Sequence, residues 1–107
     1  MKQTKERRRH IRYLGQGMVV VIEGQGYPVI DISTSGIHFQ GGSFELGAVV
    51  PLKLMRLKGK QDSVDGSIIV KAVGTTTRGE FRPTMPLLRF IIRHLSEVTG
   101  VRATYFN

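Results

Sequence analysis

At 107 residues, 40% apolar and 22% charged, the chain has the size and balance of one globular domain with a modest core, which excludes a wholly disordered polymer. It has no cysteine, so disulfides, thiolate metal sites and cysteine nucleophiles are excluded, and no apolar run approaches the roughly 18 residues of a membrane span. Sixteen Lys and Arg against eight Asp and Glu give a net charge of +8, unevenly placed: residues 1–13 hold six bases against Glu6 alone. A nearly balanced body behind a basic arm points to an anionic partner: nucleic acid, nucleotide or an acidic membrane surface.

Residues 1–13 read as an exposed arm in which Arg7-Arg8-Arg9-His10-Ile11-Arg12 packs four guanidinium groups into six residues. The planar fork of arginine fits phosphate oxygens and the guanine edge two bonds at a time. Read alone, such a run is more commonly a solvated tail or a nonspecific nucleic-acid arm. Met18–Ile22 is too short for the apolar core of a signal peptide, and no small-residue cleavage site follows, so a cytoplasmic location is expected.

Met18 to Ile22, β-branched and bounded by glycines, predicts a buried strand, with a hairpin turn at Gly24-Gln25-Gly26. Tyr27 to Ser33 predicts a second strand, with Val29 and Asp31 on one face and Ile30 and Ile32 on the other. Thr34-Ser35-Gly36 breaks it, and Ile37-His38-Phe39-Gln40 alternates as a half-buried strand. A longer strand from Ala48 to Leu57 sets Val50, Leu52 and Leu54 against Pro51, Lys53 and Met55, the proline marking an edge or bulge. Val64 to Thr77 is strand-like with bends at Gly66 and Gly74, and Arg78-Gly79 predicts a hairpin tip before a short last strand.

From Pro86 the period changes: Leu87, Leu88, Ile91, Leu95 and Val98 recur at threes and fours, with Arg89, Arg93, His94 and Glu97 elsewhere. This predicts a helix over about 86–98, with Thr84 near its start and Gly100 as its C-terminal cap. Short glycine-punctuated strands followed by one helix predict a mainly β fold, a small six-stranded antiparallel barrel closed by that helix. The organisation is an arm at 1–13 and a barrel domain at 14–107. Apolar helix positions left exposed would offer a homodimer interface.

The chemistry-bearing residues are few. His10, His38 and His94 lack metal-ligand spacing and read as surface or satisfied side chains. Asp31, Ser33 and His38 form no hydrolase triad without a nucleophile elbow. No catalytic residue, metal or cofactor is assigned, and no enzyme is expected. Asp31-Ile32-Ser33-Thr34-Ser35-Gly36 reads first as a strand and turn, with Asp31 and Ser33 bonding their own backbone and Gly36 supplying a positive φ. Set against the arm it gains a second meaning. Two residues apart in a strand, Asp31 and Ser33 share a face, and a carboxylate accepts from the N1–H and N2–H₂ edge of guanine while arginines take O6 and N7. The same carboxylate would repel the phosphates of nonspecific DNA.

Arg8-Arg9-His10-Ile11-Arg12 as Arg-x-x-x-Arg, followed eighteen residues later by the Asp-x-Ser-x-x-Gly of residues 31–36, resembles the PilZ domain family of bacterial cyclic di-GMP receptors. The resemblance covers nearly the whole chain and implies a six-stranded barrel with a C-terminal helix. It implies that Arg8 and Arg12 grip ligand phosphates and guanines, that Asp31 and Ser33 bond the guanine edge, and that Gly36 lets the backbone turn beneath it. Arg7, just before the first motif, implies a stacked ligand dimer. The expected function is a cyclic di-GMP receptor that orders its arginine arm on binding and signals to a downstream protein whose identity the sequence leaves open. Two other readings stand beside it: a basic nucleic-acid-binding barrel stacking bases on Tyr27, Phe39 or Phe81, and a PilZ-like adaptor that binds no nucleotide.

Overall fold

A computed structural model of the chain describes residues 13–14, 17–57 and 62–100. The strands are β1 (Tyr13–Leu14), β2 (Met18–Ile22), β3 (Gln25–Ile32), β4 (Gly36–Gln40), β5 (Val49–Arg56), β6 (Ser63–Ala72) and β7 (Thr76–Phe81), followed by helix α1 (Met85–Thr99). The six longer strands run β3-β2-β5-β6-β7-β4, and β4 pairs back onto β3 to close an antiparallel barrel, with β1 a two-residue extension along β3. Closure leaves the main ladder without a free edge. β3 achieves it by dividing its length: residues 25–28 pair with β2 and residues 29–32 with β4.

Alternation fills the interior. Met18, Val20 and Ile22 of β2, Val50, Leu52 and Leu54 of β5, and Ile68 and Val70 of β6 meet Ile32, Ile37, Phe39 and Phe81 in one core. Pro51 lies beyond the last β2–β5 pair, Val21 with Lys53, where its missing N–H costs that ladder nothing.

Three local expectations are corrected. The first hairpin turns one residue earlier than predicted, at Glu23-Gly24, because Ile22 pairs with Gln25; φ values of 52° and 80° suit the tight turn that matches strand twist. In β3 the register shifts between Val29 and Asp31, so Ile30 is a bulge and the predicted alternation fails. Val29 and Ile32 therefore both face the core, and Asp31 does not share a face with Val29. The third concerns the last hairpin, which turns at Val73–Thr75, while Arg78 and Gly79 lie inside β7. Gly79 reads as a turn residue but serves the core: a Cβ on it would stand 2.5 Å from Ile68 Cδ1. β7 is thus a full wall, paired with β4 from Gly36–Glu80 to Gln40–Thr76.

Helix α1 is capped as its sequence predicts. The Thr84 side chain accepts from the Leu87 N–H, and Gly100, at φ 73°, donates its N–H to the Ser96 carbonyl. Leu87, Phe90, Ile91, His94 and Leu95 are buried. Gly66, expected to bend β6, instead admits the helix: Leu87 Cδ2 lies 3.0 Å from where a Cβ on it would be. Met85 and Val98 remain exposed.

His94 corrects a further expectation. Assigned to the polar side by its chemistry, it lies three residues after Ile91 and seven after Leu87, and so joins the core stripe. It is 2% exposed, and neither ring nitrogen has a hydrogen-bond partner. Beside it lies the buried Arg56, whose guanidinium donates to Glu97 and whose backbone N–H donates to the Asp62 carbonyl at 2.9 Å. Arg93 also reaches Asp62, at 3.4 Å. These groups tie the end of β5 to the helix.

Burial first, and the Arg56 charge second, push His94 below its ordinary 6.5, against smaller opposing effects of Glu97 and Asp62. Below about pH 6.5 the unfolded chain takes up a proton that the folded chain refuses, so stability falls as pH falls from there toward the depressed folded value. Glu97, held low chiefly by its Arg56 bond, loses its contribution in a separate and more acidic window. Thermal melts between pH 7 and 5 should show a declining midpoint in the wild type and a flatter profile in His94→Leu. Identical slopes would contradict this role for His94.

Candidate functional site

The Asp-x-Ser-x-x-Gly segment spans the end of β3, a three-residue turn and the start of β4. The bulge at Ile30 turns Asp31 outward, where it is registered opposite His38. Its carboxylate Oδ2 lies 3.2 Å from His38 Nδ1, and His38 Nε2 lies 2.8 Å from Thr76 Oγ1. One polar chain thus crosses β3, β4 and β7. Side-chain exposure is 20% for Asp31 and 14% for His38, so the pair is partly shielded but reachable. His38 is the satisfied histidine that the sequence predicts; His94 is not.

Ser33 follows the first of its two readings, bonding its own backbone, and not the second, which set it on a strand face with Asp31. β3 ends at Ile32, and Ser33 is 1% exposed with its hydroxyl turned into its own loop. Its Oγ accepts from the Ser35 and Gly36 N–H groups, each at 3.2 Å, and its own N–H donates to the Gly36 carbonyl at 2.9 Å. Ser33 therefore shapes the turn, and the shared face of Asp31 and Ser33 is lost because the strand ends between them. Gly36 is also corrected: it opens β4 in extended backbone and not at positive φ.

β1 adds an observation that the motifs do not contain. Tyr13 pairs with Ile32 and Leu14 with Asp31, so the chain joins the barrel beside the carboxylate. Arg7, Arg8 and Arg12 lie outside the described residues. Arg12 immediately precedes Tyr13 in sequence, and Arg8 stands five residues before it, a reach of roughly 18 Å at full extension.

Next to Gly36 an open groove is lined by Ser35, Gly36, Lys71, Arg78, Gly79 and Glu80. Arg78 is registered directly across from His38, and Lys71 is the bulged residue between the pairs Val70–Gly79 and Ala72–Arg78. Lys71 Nζ lies 3.4 Å from Glu80 Oε1. Sequence reasoning missed Arg78 by treating Arg78-Gly79 as a turn, and Lys71 because its bulge arises only from the pairing of β6 with β7. The signal was present in Thr77, Gly79 and Phe81, which alternate inward and leave Arg78 and Glu80 outward.

The order carboxylate, imidazole, hydroxyl also occurs in hydrolytic triads. That chemistry needs an oxyanion site beside the hydroxyl; Thr76, which carries the hydroxyl here, stands opposite Gln40 in the β4–β7 ladder. Among the described residues, the three rings named for base stacking are largely enclosed. Phe39 and Phe81 are buried, and Tyr27 packs on Phe39 and Phe44 with ring centroids 5.6 and 6.1 Å away. Among the described residues, no helix is long and apolar enough to cross a membrane.

The class these elements define is a small closed antiparallel β-barrel of six main strands with one C-terminal helix. A Legionella protein described as uncharacterized, Lpg0364, superposes with a TM-score of 0.63 at 12% identity, over 84% of this chain and 95% of its own. The Bacillus subtilis inhibitor of motility, MotI/DgrA, superposes with a TM-score of 0.59 at 19% identity over 85% of this chain. This chain spans about half, 52%, of the MotI/DgrA length. At these identities the likeness is one of fold. No family model and no curated protein sequence matches the chain.

Proposed function

We propose that the chain is a non-enzymatic cyclic di-GMP receptor acting in the cytoplasm. The observation that carries this reading is the pairing of β1 with the end of β3, which sets Leu14, two residues after Arg12 in sequence, opposite Asp31. Guanine then meets a carboxylate for its N1–H and N2–H₂ edge, while arginines supply donors for O6, N7 and the phosphates. Arg8 and Arg12 are the proposed arm contacts. Ser33 and Gly36 act by holding the turn, and Arg78 and Lys71 line the adjoining groove with positive charge. Ligand phosphates offset the mutual repulsion of the arm arginines, and capture of the arm changes the surface offered to a downstream protein. Likeness in fold to an inhibitor of motility is consistent with a signalling role.

Calorimetric titration tests the proposal. Cyclic di-GMP should bind the wild type at micromolar protein and lose affinity in Arg12→Ala; no heat, or equal affinity in that variant, would sink the reading. If Arg7 serves a second, stacked ligand molecule, the wild type should bind two per chain and Arg7→Ala fewer. An unchanged stoichiometry would remove that role.

A further inference from the structure

We infer that His38 is the positioning residue that fixes the plane of the Asp31 carboxylate and so sets selectivity for guanine. The inference rests on the cyclic di-GMP reading of the site and names a determinant that neither sequence motif includes. To accept from N1–H and N2–H₂ together, a carboxylate must present both oxygens in the plane of the base. The terminal torsion of aspartate is broad and roughly two-fold, so the partners of the Asp31 carboxylate decide how well it holds that plane. His38 is one of those partners. Its Nδ1 lies 3.2 Å from Asp31 Oδ2, and its ring is fixed from the far side by Thr76 Oγ1, 2.8 Å from Nε2. A carboxylate only accepts, so Nδ1 carries the proton; in the neutral ring Nε2 then accepts from the Thr76 hydroxyl.

The bulges flanking this row explain how the sheet presents it. Ile30 in β3 and Lys71 in β6 are extra residues on either side of the paired His38 and Arg78. Bulges re-aim side chains and sharpen local twist. Here they bring Asp31, His38 and Arg78 into one outward row beside the groove at Gly36.

Two substitutions separate the two ring nitrogens. The amide nitrogen of Asn falls near imidazole Nδ1 and that of Gln near Nε2. His38→Asn therefore keeps a donor for Asp31 and gives up Thr76, and His38→Gln does the reverse. The wild type and both variants are titrated with cyclic di-GMP and with cyclic di-AMP, whose adenine lacks the N1–H and N2–H₂ donors. The preference for cyclic di-GMP should fall about tenfold in His38→Gln, the scale of one hydrogen bond to a charged group, and persist in His38→Asn. A purely structural histidine would weaken both ligands alike and leave their ratio unchanged.

Equal ratios in the two variants, or a wild-type ratio in His38→Gln, overturn the positioning role while leaving the receptor reading intact. Absence of any cyclic di-GMP binding by the wild type removes both together. A long-range ¹⁵N spectrum of the free protein gives a second readout: a protonated His38 Nδ1 supports the inference, and a bare Nδ1 overturns it.

Discussion

Asp31→Ala is expected to lower cyclic di-GMP affinity by about a hundredfold or more while the barrel stays folded. The carboxylate is proposed to accept two donors from one guanine, and hydrogen bonds to a charged group are worth about 1.5–3 kcal/mol each, so losing both passes a factor of a hundred. Stability should change far less, because Asp31 is outward and 20% exposed. The expected cost is about 1 kcal/mol, for leaving His38 Nδ1 without its acceptor. Calorimetry paired with a thermal melt checks both parts. A melting loss as large as the affinity loss would mean that Asp31 acts through the fold.

The second large effect lies away from the site. Leu87→Ala should destabilise the protein by about 2–5 kcal/mol, lowering its melting temperature by roughly 10–20 °C. Leu87 is fully buried and seats the first turn of α1 on β6 at Gly66, where nothing larger than hydrogen would admit it without displacement. The cavity left by alanine cannot close easily, since Gly66 has no side chain to move in. Cyclic di-GMP affinity, measured well below the melting temperature, should stay within about twofold, because the proposed site is on β3, β4 and β7. A large affinity loss at full folding would show that the helix reports on the site, which this account does not expect.

The parts of the fold legible in the sequence depend on near neighbours. Alternation in β5 gave its inward face residue by residue, and Thr84 and Gly100 marked the ends of α1 because caps are read from a few adjacent positions. What was not legible depends on a partner strand. Ile30 becomes a bulge only through its pairing with β4, and that extra residue turns Asp31 outward. Gly79 resembles a turn glycine until Ile68 is placed behind it. His94 was misplaced because its polarity was weighed above its position on the helix. At the candidate site the motif points to Asp31, but the contact of His38 with it depends on cross-strand register, and Thr76 reaches His38 from 38 positions away. The ladder of Tyr13–Leu14 with the end of β3 likewise depends on a partner strand and has no local signature.

The central claim is that arm and barrel form one divided site for a guanine dinucleotide, and not a basic surface for any polyanion. The most direct measurement titrates the protein and its Asp31→Ala variant with cyclic di-GMP and with a single-stranded oligonucleotide, each at 50 and 200 mM salt. Cyclic di-GMP should bind saturably, with binding that persists at the higher salt and is lost in the variant. Binding confined to the oligonucleotide, falling steeply with salt and unchanged by Asp31→Ala, would contradict it.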